Sequence, residues 1–135
     1  MTMSDAVFLA RAVSLSKQSP EAVGCGVVIV QHGKVVAAEY NSQKADGIAV
    51  HHAEIKAIIA ANKHTRSRTL PEATAYCSCE PCTMCLTALS YAKIPRVVFY
   101  KKMSDLFPDD PQSQFDSAAY ARTLNFVLTL EQLSL

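Results

Sequence analysis

The chain has 135 residues, of which 50% are hydrophobic and 19% charged, and thirteen basic against twelve acidic side chains leave a net charge of +1. That length fits a single domain, residues 1–135, able to bury about two-thirds of its unfolded surface. The balance excludes a disordered chain and gives no global pull toward nucleic acid or membrane. Ser4 can cap a helix from Asp5 to about Gln18, which Ser19-Pro20 ends. Residues 23–30 are rich in β-branched side chains and read as a strand. Residues 31–34 form a hairpin turn with Gly33 free to take positive φ, and 35–40 are the return strand. Residues 41–50 read as a loop. Residues 53–63 form a helix with Ile55, Ile58 and Ile59 as its apolar stripe.

A strand follows at 74–79. Pro81 opens a helix to about Tyr91, with Met84, Leu86, Ala88 and Leu89 facing inward. Residues 96–100 are a strand, 103–114 a loop, 115–122 a helix, and 126–130 a last strand. Strands separated by helices imply crossover connections after an opening antiparallel hairpin. The expected fold is α/β, a three-layer α/β/α sandwich around a mixed five-stranded sheet.

The apolar runs, residues 27–30 among them, are far short of the roughly 18–20 residues that span a bilayer. No signal-peptide pattern opens the chain. A cytoplasmic location follows as the expectation, and there thiols stay reduced. The five cysteines then need a purpose other than disulfides, and Cys77, Cys79, Cys82 and Cys85 are clustered. Lys63, His64, Arg66 and Arg68 make the one dense basic patch, read as a solvated helix end rather than a binding surface.

His52-Ala53-Glu54 and Pro81-Cys82-Thr83-Met84-Cys85 each stand at the start of a predicted helix. A catalytic zinc takes three protein ligands and keeps a fourth position open. One imidazole and two thiolates, from His52, Cys82 and Cys85, supply that set. Cys82 and Cys85 share one face of a helical turn, and the positive helix end there favours thiolates. Two thiolates largely neutralise the metal, so a separate base has to help ionise water. Glu54 leaves the same helix end as His52 and can carry that proton; the task calls for a raised pKa in a partly dry pocket. Rival uses of the cysteines are a redox dithiol, a structural zinc knuckle, an iron–sulfur site, or a four-thiolate site including Cys77 and Cys79. Those two read more simply as buried core thiols. His51 reads as an ordinary surface or core histidine.

His-x-Glu followed by Pro-Cys-x-x-Cys is the signature of zinc deaminases. With residues 24–30, Tyr40-Asn41, 51–55, 79–89 and 94–100, the chain resembles the cytidine/deoxycytidylate deaminase superfamily. The likeness is to the branch of guanine deaminase, bacterial tRNA adenosine deaminase and fungal cytosine deaminase. This resemblance implies the cytidine deaminase-like fold, zinc on His52, Cys82 and Cys85, and Glu54 as proton shuttle. It further implies that Asn41 contacts the base, that backbone groups of Ala53 and Cys82 and residues 23–26 line the pocket, and that the protein is a homodimer. The region beyond Tyr100 departs from the family pattern; there Phe107, Phe115 and Tyr120 are candidates for a stacking ring, with core packing the fate of at least two. The segment 46–50 departs too, lacking the Asp-Pro that often precedes the histidine.

The expected function is hydrolytic deamination of an amino-substituted nucleobase or small nucleoside of guanine or cytosine type, with release of ammonia. One rival is a tRNA or single-stranded nucleic-acid adenosine or cytidine deaminase. A second is a zinc-binding protein of the same fold without activity.

Overall fold

The computed structural model describes residues 3–135. In chain order the elements are α1 (Met3–Ser16), β1 (Gly26–Gln31), β2 (Lys34–Tyr40), α2 (Gln43–Asp46), α3 (Ala53–Thr65), β3 (Thr74–Cys79), α4 (Thr83–Tyr91), β4 (Arg96–Lys101), α5 (Met103–Leu106), a 3-10 turn (Pro111–Gln114), α6 (Ser117–Ala121) and β5 (Thr129–Gln132). The sheet order is β2-β1-β3-β4-β5. β1 pairs antiparallel with β2 and β3, whereas β3–β4 and β4–β5 are parallel. The mixed five-stranded sheet expected from the element order is therefore present.

The two faces of the sheet carry separate cores. Leu9 and Ala12 of α1 pack on Val28, Val30, Tyr76 and Val98. The opposite face buries Val27, Ile29, Cys77 and Val97 against Ala57, Ala61, Leu86 and Leu89 of α3 and α4. Alternation along the strands sends successive side chains to the two faces, and each fully buried Leu or Ile contributes about 1.5–3 kcal/mol. The hairpin turn has positive φ at both His32 (52°) and Gly33 (76°), the backbone of a two-residue turn that follows the strand twist. Beyond the hairpin, α1 lies directly on the chain: a Cβ at Gly24 would run into the carbonyl oxygen of Ser16, and one at Gly26 into that of Ala12. These contacts fix the segment that leads into β1, and Val23 and Cys25 of that segment form a wall of the site.

Several boundaries differ from expectation. Ser4 lies inside α1 rather than capping it. The first strand starts at Gly26, three residues late; before it the Cys25 N–H and the Val23 carbonyl bond to the Asn41 side chain rather than to strand backbone. The predicted loops contain two short helices, α2 and α5. The predicted helix 115–122 shortens to α6, capped by the Asp116 side chain on Ala119 N–H. The last strand slides to Thr129–Gln132, where Arg96↔Thr129 through Phe99↔Gln132 define its register on β4. In α3 the buried face is Ala53, Glu54, Ala57 and Ala61. The small residues bring the helix close to the sheet, and Ile59 is left exposed. On α4 the buried residues are Cys85, Leu86, Leu89 and Ser90, and Met84 and Ala88 are half-exposed. Among the described residues no helix is long and apolar enough to cross a membrane.

Asp5, almost fully buried, staples α1 to β3 and β4. It accepts the Tyr76 hydroxyl at 2.6 Å and a two-pronged bond from Arg96 at 2.9 and 3.0 Å. Burial, and then the Asp5 hydrogen bond, push the Tyr76 phenol up to about 12.

Candidate active site

Two helix starts converge beside the end of β3. His52 is the residue that caps α3, and Cys82 holds the same position on α4; both have extended backbone, and neither side chain caps its own helix. The helix of the second motif thus begins two residues later than its Pro81 suggests. Freed from capping, the side chains turn to each other. His52 Nδ1 lies 3.7 Å from Cys82 Sγ and 3.5 Å from Cys85 Sγ. All three ligand atoms fall within 4.8 Å of one another. Tetrahedral zinc, at ~2.3 Å from sulfur and ~2.05 Å from nitrogen, sets sulfur and nitrogen about 3.6 Å apart. The donor set and its spacing fit that ion. The positive ends of α3 and α4 both face the cluster and favour negative charge there. Cys85 as hydrogen-bond donor holds the Cys82 thiol down at about 4, with help from His52. The same hydrogen bond and burial push Cys85 up, and bonding to Cys82 raises His52.

Glu54 stands in the first turn of α3, 5% exposed. Burial pushes its carboxyl up to about 7, against a hydrogen bond from Cys85 that pulls it down. The raised value expected of a proton carrier is what this environment produces. Beneath it Cys77 is fully buried, its thiol pushed well up by burial and by the Glu54 charge. Cys77 is the core thiol expected from the sequence.

Cys79 is not. The β1–β3 register pairs Val27 with Cys77, and two residues further along the antiparallel ladder Cys25 comes opposite Cys79. The structure joins these two in a disulfide with Cα atoms 5.7 Å apart, contrary to the expectation of five reduced thiols. Cys77 faces the core and Cys79 is taken by Cys25, so the four-cysteine cluster does not form a four-thiolate site.

A cavity of about 560 Å³ opens onto His52, Ala53, Glu54 and Cys82. Asn41 lines it, yet its amide is engaged in the scaffold: Oδ1 accepts Cys25 N–H at 2.8 Å and Nδ2 donates to Val23 O at 3.0 Å. It thereby holds the 23–25 wall, and Val23 and Cys25 line the cavity as expected. His51 is bonded to Asp46 at 2.8 Å and stays out of the cluster. Of the three candidate rings only Phe107 reaches the cavity. Phe115 and Tyr120 meet edge-on, and the Tyr120 hydroxyl bonds Thr87. Sequence reasoning gave Glu80 and Met103 no role, though both line the cavity. The signal for Glu80 was an acid wedged between Cys79 and Pro81.

The family model for the cytidine and deoxycytidylate deaminase zinc-binding region matches residues 2–101. Guanine deaminase of Bacillus subtilis (strain 168) is 39% identical over 73% of this chain and 64% of its own length. A tRNA-specific adenosine deaminase of Streptococcus pyogenes is 36% identical over 57% of this chain and 47% of its own. The chain thus spans less than two-thirds of the length of these relatives. The solved B. subtilis guanine deaminase superposes with a TM-score of 0.67 at 31% identity, covering 81% of this chain and 71% of that one. With the matched region spanning the paired motifs and most of the sheet, the chain belongs to the cytidine and deoxycytidylate deaminase zinc-binding family.

Proposed function

We propose that the protein removes the exocyclic amine of a free nucleobase or small nucleoside, of guanine or cytosine type, by hydrolysis: the ring C–NH2 and one water become a ring carbonyl and ammonia. The observation that carries this is the placement of the Glu54 carboxyl, buried and pushed up to about 7, beside the His52–Cys82–Cys85 cluster at the floor of the cavity. His52, Cys82 and Cys85 hold zinc in this proposal. The metal when bound supplies the Lewis acidity that makes a water ionisable near neutral pH. Glu54 would take one proton of the water and deliver it to a ring nitrogen, then take the second from the oxygen added to the ring carbon and pass it to the departing amine, which leaves the carbonyl. A carboxyl near 7 both accepts and releases protons at working pH.

Asn41, through the lone pair left on Oδ1, and the backbone of Ala53 meet the ring edge. Phe107 offers a face for stacking. A net charge of +1 favours a small substrate over a polyanion. The similarity to a tRNA-specific adenosine deaminase keeps an RNA-embedded base as the second reading. A homodimer belongs to the proposal too, a second copy covering the outer face of α3 and α4, where Ile59 and Tyr91 are exposed.

The test is ammonia release by zinc-loaded protein from guanine, cytosine, adenine, their nucleosides and a tRNA anticodon stem-loop, with Glu54→Gln as blank. Release from a small base supports the proposal. Release from the stem-loop alone transfers it to the second reading, and silence throughout refutes both.

A further inference from the structure

Glu80 lies between the end of β3 and the Pro81-Cys82 start of the metal-cluster helix, 9% exposed. Its backbone N–H donates to Lys101 O at 2.7 Å, extending the β3–β4 pairing. Its carboxylate then reaches two separate points of the chain beyond β4. Oε1 accepts the N–H of Met103 at 2.9 Å, and Oε2 accepts the Ser117 hydroxyl at 2.6 Å. Met103 opens α5 and Ser117 opens α6. The first N–H groups of a helix have no partner within it, so the carboxylate meets a need that α5 cannot satisfy itself. Hydrogen bonds to an ionised acceptor are roughly twice as strong as neutral ones. Glu80 also stands as a partition: it lines the 560 Å³ cavity with Met103 and Phe107 on one side, and a second cavity of about 470 Å³ with Ser113 and Ser117 on the other.

We propose that Glu80 is a positioning residue of the pocket, whose carboxylate ties the starts of α5 and α6 together and thereby sets Met103 and Phe107 as the apolar wall against which a planar substrate rests. The inference rests on the deaminase reading for its kinetic consequence and not for its structural one. Glu80 moves no proton and touches no metal ligand; it acts through the segment it holds. Gln at this position keeps an oxygen for Met103 N–H, and its amide can donate to the Ser117 hydroxyl. Ala removes both bonds.

The experiment compares full-length zinc-loaded wild type, Glu80→Ala, Glu80→Gln and Ser117→Ala. Amide hydrogen exchange is read over residues 102–117, zinc content by elemental analysis, and KM and kcat on whichever small base the wild type turns over. Glu80→Ala is expected to exchange faster at Met103 to Phe107 with zinc content unchanged. Its KM rises about tenfold, the worth of roughly one lost hydrogen bond, while kcat falls much less. Glu80→Gln stays near wild type, and Ser117→Ala loosens the α6 end alone. Unchanged exchange in Glu80→Ala overturns the tie. Faster exchange with unchanged KM overturns the wall. A Gln variant as impaired as Ala overturns positioning by hydrogen bonding. A silent wild type refutes the deaminase reading, and the exchange comparison still decides the tie.

Discussion

Asn41 accepts the backbone N–H of Cys25 through its side-chain oxygen at 2.8 Å. Together with the bond from its Nδ2 to Val23 O, this makes one amide the local substitute for strand pairing along the cavity wall. Asn41→Ala leaves a half-buried N–H and a carbonyl without their partner, a cost of about 1–3 kcal/mol. Urea unfolding is expected to show that loss. Asn41→Asp keeps the acceptor, loses the donor, and falls between; wild-type stability in the Ala variant would contradict the scaffold role.

The cluster predicts about one zinc per chain, from three ligands at tetrahedral spacing. The double variant Cys82→Ser, Cys85→Ser is expected to purify with little metal. Chelation of the wild type should lower its Tm, because the ion binds the folded ligand set preferentially. Metal-free protein in which both thiols titrate freely, without loss of stability, would remove the metal from the account.

Arg96 bridges Asp5 and Glu131, bonding Glu131 at 3.2 and 3.0 Å. Arg96→Met leaves the Asp5 carboxylate buried with a partner lost, at a cost of about 2–3 kcal/mol near neutral pH. The Arg96 hydrogen bond holds the Glu131 carboxyl below its ordinary value. A depressed folded pKa stabilises above the unfolded value and is lost as pH falls through the folded one. The stability gap between wild type and variant is therefore expected to narrow from about pH 5 downward. A gap constant over that range in acid-series denaturant melts would rule out the ion pair as its source.

Gly24 has no room for a side chain beneath Ser16 of α1. Gly24→Ala must shift backbone, and overpacking of this kind costs about 1–3 kcal/mol. The displaced segment carries Val23 and Cys25, so activity should fall along with thermal stability. A variant as stable and active as wild type would show that α1 yields freely.

The sequence by itself determined the parts of the site that are local. His52 with Glu54, and Cys82 with Cys85, are each held within a turn of chain at a helix start. The spacing of three puts Cys82 and Cys85 on one face, His52 and Glu54 leave the same helix end, and the metal chemistry follows from residue type. The strand at Thr74–Cys79 and the mixed sheet were legible too, since short apolar runs bounded by turns mark strands buried on both faces, and helices between them imply crossovers.

What only the tertiary structure decided depends on residues far apart in the chain. The face of α3 is chosen by how near the helix can approach the sheet, which favours alanines over isoleucines. Cys79 meets Cys25 because of the β1–β3 register, which no local pattern encodes. Phe107 rather than Phe115 or Tyr120 faces the cavity because Glu80 holds Met103, the opening residue of α5, against the end of β3. Periodicity reports which side of an element is apolar; it carries no information on which distant group will satisfy a buried carboxylate.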